Sequence, residues 1–480
     1  MLMIAGWIKE IRDFVWGPWL LTFLLGTGTY LCILLRGLPV RKLLRAVKMA
    51  LDKTEAESPE GISSFSSLAT ELAATIGTGN VVGVTMAMTA GGPGALLWMM
   101  ISALIGLSTK LTESTLSVKY RVKDGSGLPK GGPMITLSKA FPLPKAGKVL
   151  AGCYAFFAVL CSLGMGNAVQ ASSIASSFHA AFGWNAKNVG VILAMLTLFA
   201  VTGGMKRISK ISTYLVPAMG AIYVAGCLGI IALHWQNLLP GLRCIIIGAF
   251  SSRAVSGGLF GTITASWIRS LNAGVSCGLF SNEAGLGAGG ISAAASSEED
   301  PVKQGWISTS AVFFDTMVIC VITGIAYACS GVAKKAQEGE LLLRSGLKAD
   351  PSDGADLMIA AFETTFGRYG GAVLGTCIAL FAFATILGWA AQGQAAFAYL
   401  FGEKRTWFYQ AVYSLVAFIG ATAGLGVLWT ASDAANGLLA IPNLICLWVL
   451  GPKVCKEILA WEITHGSSSG PAKRFFRNHG

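Results

Sequence analysis

Long stretches of this chain run for eighteen residues or more without charge, and they leave few folds open. Among them are 14–35, 72–109, 149–186, 188–205, 211–242, 369–402 and 434–452. About 18 to 20 apolar residues make one membrane-spanning helix, and several of these runs hold more than one. Ten-residue dyad alternation is absent, so the spans are expected to be helices rather than barrel strands. Charged residues make up 12% of the chain, about half the roughly 25% of soluble domains.

Eleven spans are expected: 14–35, 64–90, 95–118, 149–180, 187–204, 211–233, 271–296, 304–329, 370–401, 408–425 and 428–451. If the loop after the first span is cytoplasmic, 24 Lys and Arg residues fall inside and 11 outside, counting Lys187 as outside and leaving Lys110 within a span. That bias sets the N-terminus outside and the C-terminus in the cytoplasm of a multi-pass cell-membrane protein. It also explains the net charge of +12 without nucleic acid as a partner. The start of the chain lacks a basic stretch and cleavage site, so the first span is read as retained. The segment 240–270, rich in Gly, Ser and Arg, is expected to be an irregular outer reentrant or interfacial stretch, and the polar tail a disordered one.

With the first span set aside, ten remain, as two groups of five in opposite orientation. The expected units are 1–63 (an added helix and its loop), 64–233 and 234–453 (two five-helix repeats) and 454–480 (a cytoplasmic tail). The first span of each group is interrupted, by "ATIGTGNVVG" around Gly77–Asn80 and by "GLFSNEAGLGAGG" around Ser281–Gly290. A helix broken at mid-membrane exposes N–H and C=O groups that lipid cannot satisfy, so the break must face protein or a polar cavity. Those groups can then serve ligands: half-helix N-termini suit a carboxylate, half-helix C-termini a cation. By itself the first break is equally a packing face, Gly79 and Gly83 being four apart. The second, with Ser281, Asn282 and Glu283 among glycines, moves the reading to a binding site.

The successive motifs carry a family resemblance. "ATIGTGNVVGVTMAMTAGGPGALLWMM", "KGGPM", "GMGNAVQASSIA", "GGMKRISKISTYLVP", "CGLFSNEAGLGAGG", "FAFATILGW" and "NGLLAIPNLICL" resemble, in order over about 65–453, the signatures of the alanine or glycine:cation (sodium:alanine) symporters of the amino acid, polyamine and organocation superfamily. The resemblance implies an all-α LeuT-type fold, a five-plus-five inverted repeat with one added N-terminal helix. It also implies import of small neutral amino acids with Na+, and no enzymatic activity or cofactor beyond the co-transported ion. Thr78, Gly79 and Asn80 would meet the substrate carboxylate, with the Gln170 amide beside it. Phe280, Ser281, Asn282 and Gly285 would hold the amino group and shape the pocket, and Thr385 and Trp389 would close it. The carbonyls of Ala73 and Ile76 with the Thr385 hydroxyl would bind Na+.

The sequence departs from the family pattern at several points. Glu71 stands where a small or apolar residue is usual, and an ionisable residue at membrane depth is a functional candidate by default. It is read either as a coupling residue, carrying a proton or adding charge near the cation, or as the partner of a basic or hydroxyl group. Ser172 replaces an Asn, Ala384 a hydroxyl residue, and "AAQGQ" with Gln392 and Gln394 a more aromatic, acidic run. Lys110 and Glu113, three apart, are placed to pair. Asp315 and Arg269 are expected in structural or gating ion pairs. Proton coupling, or a larger substrate such as glutamine, is the alternative. The 11 cysteines form no CxxC or metal-spaced cluster. An enzyme would need a paired nucleophile and base, which the four histidines do not supply.

Overall fold

The computed structural model describes residues 2–52, 61–125, 127–250, 262–333, 354–423 and 426–465. Among them, seven helices are long and apolar enough to cross a membrane, and an eighth crossing is formed if the bent pair 64–75 and 78–91 is one span. Three further expected spans are also helical, Ala186–Thr202, Thr262–Asn282 and Thr406–Thr422. Sheet structure among the described residues is a two-stranded hairpin, Val122–Lys123 against Pro129–Lys130, paired Val122 to Lys130.

The chain opens with a helix, Leu2–Val15, that turns at Gly17 and restarts with Pro18 in the first turn of Pro18–Leu34. Proline suits that position, because its missing N–H would have had no helical partner. After short helices Leu38–Arg41 and Leu43–Leu51 comes the first broken span, Ser64–Thr75 followed by Val82–Gly91, its halves bent by 66°. Ala95–Lys119 is straight and largely buried. The "KGGPM" segment turns at Gly132 into a short helix, Pro133–Ala140.

The next span runs as Pro144–Leu163 and Val169–Phe182, joined by the π-helical turn Gly164–Ala168. Ala186–Thr202 and Gly204–Leu233 complete the first group. A longer π-helical stretch, Phe313–Cys320, interrupts the span Pro301–Ser330 between Val312 and Val321. Gly354–Phe366, Arg368–Phe401 and Thr406–Thr422 follow, and then Gly426–His465, which continues past the expected end at 451. The polar tail beyond it lies outside the described residues.

One expectation is overturned. The segment 240–270 is helical on both described flanks: Leu238–Phe250 carries Pro240 within its first turn, and Thr262–Asn282 begins nine residues before the expected 271. Proline is tolerated there, and the helix has a partner. Ala249 packs on Gly94, where a side chain would collide, and its carbonyl accepts a hydrogen bond from Trp98 Nε1 at 3.0 Å.

Helix packing repeats itself along the chain. The broken span 64–91 lies against 262–294, Ala95–Lys119 against Pro301–Val312, 144–182 against Arg368–Phe401, and Ala186–Thr202 against Thr406–Thr422. The short helices correspond too: Pro133–Ala140 packs on the span after it, and Gly354–Phe366 on Arg368–Phe401. The first four spans of the first group therefore meet their counterparts in the second, while the fifth, Gly204–Leu233, packs on Ser64–Thr75 and Arg368–Phe401. The two broken spans are brought face to face near the centre.

Candidate functional site

The first break follows from a few residues. Ser63 caps Ser64–Thr75 by accepting from Ser66 N–H at 3.1 Å, and Ile76 leaves the helix with extended backbone. Gly77 N–H then bonds to Asn80 Oδ1 at 2.9 Å instead of returning to the Ala73 carbonyl. That releases carbonyls at the end of the first half-helix. A Cβ on Gly77 would lie 2.6 Å from Thr385 Oγ1, so glycine is what lets Arg368–Phe401 approach. The Thr385 hydroxyl stands 3.4 Å from the Ile76 carbonyl and 3.0 Å from that of Phe381.

The second break lies between Asn282 and Ala288. Three residues in it, Glu283, Gly285 and Gly287, have positive φ of 54°, 102° and 77°. Asn282 Oδ1 accepts from Ala284 N–H at 3.0 Å, and Asn282 Nδ2 donates to Thr316 Oγ1 at 3.3 Å. Gly285 N–H donates to Glu113 Oε2 at 3.2 Å, while its carbonyl accepts from Asn443 Nδ2 at 2.9 Å.

Asp315 straps the two breaks together. Its Oδ1 accepts from Asn80 Nδ2 at 2.7 Å, and its Oδ2 accepts from the Ser281 hydroxyl at 2.7 Å and from Thr316 Oγ1 at 2.9 Å. Asn80 Nδ2 also reaches Ser281 Oγ at 3.0 Å. The carboxylate lies in the π-helical stretch Phe313–Cys320. Asp315 is thus held by hydrogen-bond donors rather than by an ion pair.

Between the breaks lies a cavity of about 30 Å³, lined by Ala74, Thr75, Gly77, Thr78, Gly79, Met165, Gln170, Phe280, Ser281, Glu283, Thr385, Trp389 and Asn436. Of the ten residues expected to bind substrate, the structure brings seven to this cavity: Thr78, Gly79, Gln170, Phe280, Ser281, Thr385 and Trp389. Asn80, Asn282 and Gly285 stand behind it, with their polar groups spent on Asp315, Thr316, Glu113 and Asn443. The Thr78 hydroxyl donates to Gln170 Oε1 at 3.3 Å, and Gln170 Nε2 donates to the Met165 carbonyl at 3.2 Å. Gly166 lies flush against Trp389, where any side chain would collide.

Sequence reasoning did not assign Ala74, Thr75, Met165, Glu283 and Asn436 to the site. Two of them carried a signal. Glu283 is an ionisable residue within the second break, and Asn436 is an amide near the start of the apolar run 434–452.

Glu71 and its neighbours form a separate charged cluster. Lys110 Nζ lies 2.7 Å from Glu71 Oε1 and 3.8 Å from Glu113 Oε1, all three side chains at most 1% exposed. The 2.7 Å contact is a fully buried ion pair. Gly289 of the second broken span gives it room, since a Cβ there would overlap both charged groups. The pairing of Lys110 with Glu113 agrees with their spacing, and Glu71 has a basic partner. A larger cavity of about 220 Å³ opens beside the 124–131 hairpin, lined by Ile62, Lys130, Lys206, Gln394 and Glu403 among others.

Two broken spans around a central cavity, in a chain of long apolar helices, define the class: an integral membrane transporter, not an enzyme. The chain belongs to the sodium:alanine symporter family, whose model matches residues 1–474. It is similar to the sodium/alanine symporter AgcS of Methanococcus maripaludis, at 39% identity over 95% of this chain and 96% of that one. It is also similar to the probable sodium/glutamine symporter GlnT of Bacillus subtilis, at 31% identity over 98% and 93%. Among solved structures, MhsT in complex with L-phenylalanine superposes with a TM-score of 0.55 at 14% identity, covering 84% of this chain and 99% of that one. The fold is the all-α LeuT type in a multi-pass membrane protein.

Proposed function

We propose that the protein is a secondary active symporter that imports a small neutral amino acid, alanine or glycine, with Na+. The observation that carries this is the cavity of about 30 Å³ between the two breaks, lined by the bulky Phe280 and Trp389. It is small enough to disfavour any long side chain. In this reading the substrate carboxylate meets the N–H groups at Thr78 and Gly79, with Gln170 beside them. The carbonyls of Ala73 and Ile76 and the Thr385 hydroxyl hold Na+, hard oxygen ligands suiting such a cation.

Residues 64–233 and 234–453 are the two inverted repeats, which the pairwise helix packing supports, preceded by the added unit 1–63 and followed by the tail 454–480. Eleven spans, with the N-terminus outside and the C-terminus in the cytoplasm of the cell membrane, put the larger cavity on the cytoplasmic side as an exit vestibule. Ion and substrate enter together, and the bundle rocks only when both are present, because each leaves the other's charge uncompensated. A larger substrate such as glutamine is the second reading, favoured by the likeness to GlnT. Proton coupling through Glu71 has less support, since that carboxylate is already paired with Lys110.

A thermal-shift screen of amino acids in Na+ and in choline tests the proposal, since a ligand that binds only the folded state raises its stability by mass action. Alanine or glycine should stabilise in Na+ alone. Stabilisation by glutamine instead, or by alanine equally in choline, would sink it.

A further inference from the structure

We propose that Glu283, with Asn436, forms the subsite that receives the positively charged end of the substrate, its α-ammonium group. The proposal rests on the amino acid symporter reading above and adds to it the charge that recognises the amine.

Glu283 lines the cavity, is 5% exposed, and its Oε2 is buried with no hydrogen-bond donor in reach. Asn436, 3% exposed on the last long helix, lines the same cavity, and its Oδ1 likewise lacks a donor. A cavity this small brings any occupant near both atoms. Two buried acceptors without donors call for a ligand rich in N–H groups, and an ammonium offers three with a full positive charge.

Beside that carboxylate the protein sets the Trp389 indole, but Oε2 is left without a hydrogen bond. Among the described residues no Lys, Arg or His lies within ion-pair distance of Glu283, and Lys110, the buried cation of this region, is held 2.7 Å from Glu71. Asp315, the other acid between the breaks, is already bonded to Asn80, Ser281 and Thr316. The backbone adds a second cost, because Glu283 sits at φ 54°, a left-handed conformation that crowds the Cβ of any residue but glycine. A buried unpaired carboxylate in a strained backbone is what a ligand's charge would relieve.

Charge balance then orders the site. The zwitterion's carboxylate lies with Na+ at the first break and its ammonium with Glu283 at the second. Na+, substrate and Glu283 together sum to zero. Substrate orientation follows: the side chain is left to face Phe280 and Trp389.

The test uses the full-length protein in lipid nanodiscs, with alanine and lactate competing against labelled alanine in saturating Na+. Lactate carries a hydroxyl in place of the ammonium. The wild-type protein should prefer alanine strongly. In Glu283→Gln, alanine affinity should fall by about 30-fold or more and the preference over lactate should shrink to a few-fold. Retained preference in that variant, or a loss of Na+ affinity alone, overturns the assignment. Glu283→Asp suits left-handed backbone at least as well and withdraws the carboxylate by one methylene. It should shift the alanine to β-alanine ratio toward β-alanine, whose amine reaches one carbon further, and an unchanged ratio overturns the assignment even if Glu283→Gln does not fold. Wild-type protein that binds no amino acid in Na+ would instead refute the transport reading.

Discussion

The two breaks do similar work by different means. The first closes on itself: Asn80 takes the N–H of Gly77, three residues earlier, so most of its shape lies within one turn of chain. The second is held from outside, by Glu113 on Ala95–Lys119 and by Asn443 on the last helix. Glu113 in turn belongs to a buried charged cluster with Lys110 and Glu71. The first break is therefore a local hinge against Thr385, and the second a fixed bracket whose rigidity depends on partners far away in sequence. Damage to the bracket should appear as lost stability, and damage to the hinge as lost coupling.

The largest effect should come from Lys110→Met, which strands Glu71 and Glu113 as unpaired buried carboxylates at a cost of about 3–5 kcal/mol. The expected outcome is a large fall in melting temperature and in folded yield, and a variant as stable as the parent would remove the bracket from the account. Next is Gly77→Ala, whose Cβ would press on Thr385 Oγ1 at 2.6 Å. Overpacking of this kind costs about 1–3 kcal/mol. It should raise the half-saturating Na+ concentration of uptake, with a fall in melting temperature in choline smaller than that of Lys110→Met.

Asn80→Ala removes the hinge's own cap and one donor to Asp315, worth about 1–2 kcal/mol. Turnover should drop while the ranking of substrates stays the same, because Asn80 stands behind the cavity. A changed ranking in competition assays would make it a direct ligand after all. The smallest effect is expected from Asn443→Ala, which costs about 1 kcal/mol of stability through the Gly285 carbonyl it leaves without a donor. Its Na+ dependence of uptake should match the parent's, and a shift there would mean that the bracket moves during transport.

Much of this was legible beforehand. Uncharged runs placed the long helices, and glycines among polar residues located both breaks to within a few residues. The motifs "GNAVQ" and "FAFATILGW" pointed to Gln170, Thr385 and Trp389, which the structure brings to one cavity. The segment 240–270 misled, because its Gly, Ser and Arg content hid a helix whose small residues pack on Gly94. Asn80 and Asn282 are polar residues at a break, and such residues look alike in sequence whether they face the cavity or, as here, bond to Asp315 and Thr316 behind it. Nor does the sequence mark the π-helical turns, whose extra residue per turn is fixed by neighbours such as Trp389 against Gly166.

What the sequence alone determined is the membrane, the placement of the long apolar segments and the positions where helices must give way, since hydropathy and glycine conformation are properties of local chain. What tertiary structure decided is partnership. Lys110 lies 39 residues from Glu71 in the chain yet 2.7 Å away in space, and Asp315 reaches both breaks at once. Side chains that could each have faced a ligand were sorted into those spent on protein and those left open. In a low-dielectric interior a buried polar group without a partner is costly, and the two that line the cavity in that state, Glu283 Oε2 and Asn436 Oδ1, are visible only in the fold.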